Sequence, residues 1–151
     1  YENSDEPYCE ELAKAITNEI RRGNRIDTTT KLRNVIEKTL DFLPNNKEKK
    51  DVIKKTCQRT FQALRIDVNN EFEVLYEFME KLPGALKPGG RVAILTFHSG
   101  EDKLVKKALK AGYKEGIYSE YARDVVRPSA QECAQNGRAR STKMRWAVKA
   151  E

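Results

Sequence analysis

The chain has almost nothing with which to build a structural zinc site. It contains one histidine, His98, and three cysteines, Cys9, Cys57 and Cys133, which are widely spaced and never fall in a CxxC pair. A structural zinc site needs a clustered set of such ligands, and a disulfide framework needs an even set. The sequence argues against both. Three reduced thiols in a cytosolic protein are expected, each a small apolar side chain rather than a nucleophile. Long apolar runs are also missing. The longest is Val92 to Leu95, continued past Thr96 by Phe97, far short of the ~18 residues that mark a membrane span. The first six residues hold three acids, with no apolar segment behind them, so a secretory signal is not expected here.

Negative charge is scarce at one end only. Net charge is +6 over 151 residues, yet residues 121–150 hold seven Lys or Arg against two acids, and the remainder is close to neutral. A clustered positive charge is the footprint of a polyanion, most commonly nucleic acid, although such a tail can also be merely solvated. The hydrophobic fraction of 38% is enough for a modest core at a length that suits one ordinary domain.

Periodicity places helices in the first half. Residues 5–23 carry Leu12, Ala15, Ile16 and Ile20 on one face, with Ser4 or Asp5 as cap, Pro7 in the first turn and Gly23 at the end. Thr28-Thr29-Thr30 can cap a second helix over about 31–42, which Pro44-Asn45-Asn46 breaks. A polar connection is expected over 47–55, then helix over 58–82, interrupted near Asp67 to Asn70. Leu86 to Arg91 is a turn. The apolar run 92–97 reads as a strand buried on both faces, as in an α/β sheet. A helix is expected over 101–110, a strand over 118–126, a short helix capped by Ser129 and a last strand over 142–148. A strand such as 92–97 needs neighbours on both sides, and an exposed apolar edge invites aggregation. Part of the sheet is therefore expected to come from elsewhere.

Three segments carry chemistry, in a fixed order. The first is Thr60-Phe61-Gln62-Ala63-Leu64-Arg65-Ile66-Asp67-Val68-Asn69-Asn70-Glu71. The second is Leu86-Lys87-Pro88-Gly89-Gly90-Arg91, with its strand running into Thr96-Phe97-His98-Ser99-Gly100-Glu101-Asp102. The third is Asn136-Gly137-Arg138-Ala139-Arg140-Ser141-Thr142-Lys143-Met144-Arg145. Together they resemble the RsmH/MraW family, whose members methylate N4 of a cytosine in 16S ribosomal RNA with S-adenosylmethionine (SAM). The resemblance is clearest over about residues 56–149. The family reads Ser-Phe-His-Ser-Leu-Glu-Asp where Thr96 and Gly100 stand here, and Asn-Pro-Arg where Gly137 stands, as in a divergent branch. It implies the carboxy-terminal part of a Rossmann-like methyltransferase sheet, three mixed strands over residues 56–151. Residues 1–55 are then the end of an inserted helical, substrate-recognition domain.

The resemblance also implies an absence. Such enzymes hold SAM on a first strand–loop–helix unit with a glycine-rich turn, and none is present. Gly89-Gly90 precedes a strand and opens no helix. No cofactor-binding residue is expected in this chain, which should be inactive alone and should pair with a missing amino-terminal half. His98 and Ser99 are expected near the active site, with His98 either a proton acceptor or, more blandly, a residue that shapes the loop. Arg65, Arg127, Arg138, Arg140, Ser141 and Lys143 are candidates for ribosomal RNA, with Arg145 in the same basic set. Gln62, Asn69, Glu101 and Asp102 are candidates for support, and Ser99 or Asp102 can cap a helix. Trp146, Tyr118 and Tyr121 could stack on bases, but as strand residues are more often core. Methyl transfer of this kind calls for no metal. A homodimer and a cytoplasmic location fit the same picture. Two other classes compete: a non-catalytic RNA-binding module, and an assembly protein that pairs its open strand edge with another chain.

Overall fold

A computed structural model describes residues 1–151. The chain forms two compact units, Tyr1–Asn69 and Asn70–Glu151, and the position 55/56 expected as a domain boundary lies inside a helix. No helix is long and apolar enough to cross a membrane.

The first unit is helical: α1 (Cys9–Arg21), α2 (Thr29–Thr39) and α3 (Lys47–Asn69). Leu12 of α1 packs with Leu32, Ile36 and Leu40, and Val52, Ile53, Cys57 and Phe61 of α3 close over them. Thr28 caps α2 by accepting a hydrogen bond from the Lys31 amide at 3.2 Å. Gly23 ends the turn after α1 with φ +83°, where a side chain would be strained. Ser4 and Asp5 do not cap α1. Its N-cap is Tyr8, whose amide donates to the Glu6 carboxylate at 3.0 Å. Glu6 is buried, takes a second hydrogen bond from Thr56 at 3.3 Å, and lies 3.7 Å from the Arg59 guanidinium. The connection expected over 47–55 is helix. Its polarity hides a stripe at helical spacing, and the Asn46 side chain accepts from the Lys49 amide at 3.0 Å to start it.

The second unit holds α4 (Glu71–Ala85), β1 (Arg91–Thr96), α5 (Ser99–Lys114), β2 (Tyr118–Tyr121), α6 (Ala130–Gln135), a 3-10 turn (Gly137–Ser141) and β3 (Lys143–Lys149). The break foreseen near Asp67 to Asn70 falls at Asn70, which takes the left-handed conformation at φ 49°. Asparagine reaches it more readily than most residues. The fold is α/β, as the sequence implied. The sheet order is β1-β3-β2, and both pairings are antiparallel, so the mixed sheet expected is not formed within this chain. Met79 and Leu82 of α4, Val105 and Leu109 of α5, Tyr118 and Ala147 make the core.

β1 is an edge strand here. Val92 and Ile94 pack against the core, whereas Leu95 and Phe97 are 57% and 55% exposed. The apolar run that reads as two buried faces thus has one face covered. Arg91 pairs with Val148 at one end of β1, and Thr96 pairs with Lys143 at the other.

Candidate functional site

The sheet register decides which functional residues meet. Thr96 ends β1 opposite Lys143, which begins β3, and its hydroxyl donates to the Lys143 carbonyl at 3.4 Å. The loop after β1 and the 3-10 turn before β3 therefore lie at one end of the sheet. The segment after β2 reaches the same end through the Val126–Met144 bridge. Topology gathers His98 and Ser99, Arg127, the exposed Arg138, Arg140 and Ser141, and the half-buried Lys143 at the carboxyl end of β1. That is where open α/β sheets place ligands. Asn136 sets the turn by accepting from the Arg138 amide at 3.1 Å.

His98 is the N-cap of α5, a role the sequence suggested for Ser99 or Asp102. Its Nδ1 accepts from the Glu101 amide at 3.4 Å, and Glu101 in turn accepts from the Phe97 amide at 3.0 Å. This is a reciprocal cap of the capping-box kind, displaced by one residue. An Nδ1 that accepts leaves the neutral ring's proton on Nε2. That nitrogen is sealed from solvent without a well-aligned hydrogen bond, 3.4 Å from a Glu101 carboxylate oxygen. The short distance and the missing hydrogen bond reconcile if the contact is electrostatic and poorly aligned. Glu71 brings a third potential ligand atom to His98 and Glu101, all within 4.8 Å. Phe72 meets the imidazole edge-on at 5.9 Å. A Cβ on Gly100 would fall 2.7 Å from the Phe72 ring, so glycine lets the aromatic ring close on the cap.

Asp102 and Arg145 form the buried centre behind the loop. Arg145 donates from Nε at 2.7 Å and from Nη2 at 3.1 Å to the two carboxylate oxygens, and from Nη1 to the Ala122 and Arg123 carbonyls at 3.4 Å. The Arg145 hydrogen bond holds the Asp102 carboxyl below its ordinary value against the opposing effect of burial, helped by the charges of Arg145, Lys143 and Lys106. Arg145 is 5% exposed, so it does not join the surface basic set in which the sequence placed it. It ties β3 to α5 and to the strand-like segment after β2. Tyr118 is core, and burial pushes its phenol up. Burial likewise pushes the Cys57 thiol up, as expected of an unreactive cysteine.

Gln62, Arg65 and Asn69 belong to the first unit. The Gln62 amide donates to the Asn3 carbonyl at 3.2 Å, so it satisfies backbone, while Arg65 and Asn69 are exposed on α3. Reading the sequence gave no site role to Glu71, quoted only as the end of a segment, or to Phe72, and passed over a row of lysines on α5. Lys103, Lys106, Lys107, Lys110 and Lys114 are all exposed. Their three- and four-residue spacing was the available signal, masked because the net charge of that region is balanced by acids elsewhere.

The two glycines of the turn before β1 have no amide to spare. Gly89 donates to the Lys149 carbonyl at 3.1 Å, Gly90 donates to the Lys87 carbonyl at 2.8 Å, and Lys149 donates to the Gly90 carbonyl at 2.8 Å. A phosphate or carboxylate cradle needs such donors free, so these glycines serve the sheet.

Comparison with known proteins identifies the family. The model of the MraW methylase family matches residues 1–150. The chain is 88% identical, over its whole length, to ribosomal RNA small subunit methyltransferase H 1 of Agathobacter rectalis, of which it covers 43%. It is 72% identical over 99% of its length to the protein of that name from Lachnoclostridium phytofermentans, covering 40% of it. Ribosomal RNA small subunit methyltransferase H 2 of Alkaliphilus metalliredigens is 59% identical over 99% of the chain, which covers 42% of that relative. The chain spans less than half the length of these relatives, and it belongs to the MraW methylase family.

Proposed function

We propose that this chain is the substrate-facing part of an enzyme that transfers a methyl group from SAM to N4 of a cytosine in the RNA of the small ribosomal subunit. The observation that carries this reading is the convergence of the His98-Ser99 loop and the basic turn at Arg138 and Arg140 on one end of the sheet. The names of the relatives support RNA of the small subunit as substrate. Residues 1–55 are read as the end of a helical substrate-recognition domain inserted in the methyltransferase domain.

SAM, when bound, supplies the methyl group. The turn most like a cofactor cradle, at Gly89-Gly90, spends its amides on the sheet and on its own turn. The cofactor pocket is therefore assigned to the part of the relatives that this chain does not cover, and the chain alone is inactive. Its own residues bind and orient RNA. Arg138, Arg140 and Arg127 fork onto phosphates, Ser141 adds a hydroxyl donor and Lys143 a point charge. Cytosine must leave its stack to be methylated at N4, and the loop at Phe97 to Ser99 shapes the place that receives it. His98 acts there by positioning. Its Nδ1 is occupied by the Glu101 amide and its Nε2 holds the ring proton, so neither nitrogen is free to take the proton that the amine releases. A cytoplasmic location follows from the substrate.

The test uses the full-length protein with SAM and small-subunit RNA, followed by nuclease digestion and mass spectrometry. N4-methylcytosine is the expected product. A methyl group on a ring carbon, on ribose or on no nucleoside refutes the assignment.

A further inference from the structure

α5 carries a charged face that the methyl-transfer site does not use. Lys103, Lys106, Lys107, Lys110 and Lys114 are exposed, whereas Asp102, Val105, Leu109 and Gly112 form the buried side. At 3.6 residues per turn the five lysines fall within an arc of about 100°, and no acid lies between them. Glu101 and Asp102 are engaged in the cap and with Arg145. None of the five lysines has a carboxylate within salt-bridge distance. Most helices with many lysines intersperse acids three or four residues away, which neutralises the face. This one does not, and its like charges repel along three turns.

The row is continuous with the site. α5 begins at Ser99, directly after His98, and the row starts at Lys103 in the next turn. Arg145 of β3, two residues from Lys143, holds Asp102 in the first turn of α5 at 2.7 Å, so the two basic regions adjoin there. From Lys103 to Lys114 the helix advances about 16 Å, at about 1.5 Å per residue, a length that spans several phosphates of a nucleic-acid strand.

We propose that the lysine face of α5 is a phosphate-binding track that holds the RNA strand flanking the target cytosine. The proposal rests on the RNA-methyltransferase reading. Lysine suits the role because a point charge on a flexible stem follows a backbone without reading sequence. Binding an RNA backbone would relieve the repulsion that the isolated face carries.

The experiment compares the full-length protein with the Lys107→Gln, Lys110→Gln, Lys114→Gln triple variant and with the matching Lys→Arg triple variant. Affinity for a small-subunit RNA fragment is read by fluorescence anisotropy between 50 and 300 mM salt. The glutamine variant should bind at least about tenfold more weakly at the low-salt end. Its log–log salt slope should be shallower by about 2, from roughly 0.7 per lost contact to a single strand. The arginine variant should bind as the parent does, which a purely structural role for lysine would not predict. Equal affinity and slope for the parent and the glutamine variant overturn the track while leaving the methyltransferase reading in place. The track is equally overturned if the glutamine variant loses affinity for heparin but keeps its affinity for RNA. A parent protein with no salt-dependent RNA binding overturns both.

Discussion

Asp102 and Arg145 meet through hydrogen bonds of 2.7 and 3.1 Å, with little water around either side chain. Removing one partner strands a buried charge, so Asp102→Asn should destabilise the full-length protein by about 3–5 kcal/mol in urea unfolding, whereas Asp102→Leu with Arg145→Met should recover most of that. The pH dependence follows from the direction of the shift. Asp102 is held below its ordinary 3.8 by Arg145, so the folded state favours the ionised form. The contribution is complete above 3.8 and is lost as pH falls through the lower folded value. The stability gap between the wild type and Asp102→Asn should therefore be constant at neutral pH and shrink under acid. His98 offers a separate residue-scale test. His98→Ala removes a cap and should cost about 1 kcal/mol, while His98→Asn keeps an N-cap acceptor. If positioning is the role, Asn retains most of the methyl-transfer rate and Ala does not. A loss of two or more orders of magnitude with Asn makes the imidazole itself catalytic. Sequence alone singled out His98 as a site candidate and Asp102 as its support, because the Thr96 to Asp102 segment is distinctive. It could not assign the cap to His98, since capping depends on which side chain the strand–helix angle turns toward the amides. Nor could it remove Arg145 from the surface set, since burial is set by a partner 43 residues away.

At the scale of elements, α5 combines a demanding buried side with a repulsive exposed one. Gly112 admits the Tyr118 ring, and a Cβ there would meet ring carbons at 2.6 and 2.7 Å. Tyr118 is 3% exposed and cannot swing aside. Gly112→Ala should therefore destabilise, its overpacking of roughly 1–3 kcal/mol outweighing a helix-propensity gain of about 1 kcal/mol at most. On the other side, Lys110 faces Lys106, Lys107 and Lys114 at three- or four-residue spacing, each like-charge pair costing about 0.2–0.5 kcal/mol. Lys110→Gln should raise the melting temperature at low salt, and the gain should vanish near 1 M salt as screening shortens to about 3 Å. An equal gain at both ionic strengths would locate the effect in propensity instead. The helices of the first half were legible because their apolar faces recur at helical spacing. The start of α3 was not, because Lys47 to Lys55 is mostly charged and its few apolar residues show their stripe only when joined to Thr56, Cys57, Thr60 and Phe61. The strands were found in the right order, but β1 was read as covered on both faces. A run of apolar residues states what a strand needs, and the neighbours that meet that need lie far along the chain or outside it.

For the whole molecule, the exposed face of β1 matters most. Leu95 on this edge strand and Phe97 just past its end stand in solvent, and Met144 and Trp146 of β3 pair with Leu95 and Ala93. Opposite residues in an antiparallel pair share a face, so these side chains form one apolar surface with an open backbone edge next to it, the arrangement from which sheets aggregate. The chain covers 43% of its relative from Agathobacter rectalis, and on the proposed reading the remainder of the protein supplies the adjoining strands and the SAM pocket. A single substitution then has opposite effects in two contexts. In the isolated chain, Leu95→Lys replaces an exposed leucine on an unpaired edge with a charge, so self-association measured by sedimentation should fall. In the full-length protein the same lysine is forced into a sheet covered on both faces. A buried unpaired charge costs several kcal/mol, so the melting temperature should drop and SAM binding, measured by calorimetry, should weaken with it. The isolated chain should bind no SAM at micromolar concentrations with or without the substitution. If Leu95→Lys leaves the full-length protein as stable as before, that face of the sheet is open in the whole protein too, and its cover must be sought in another chain.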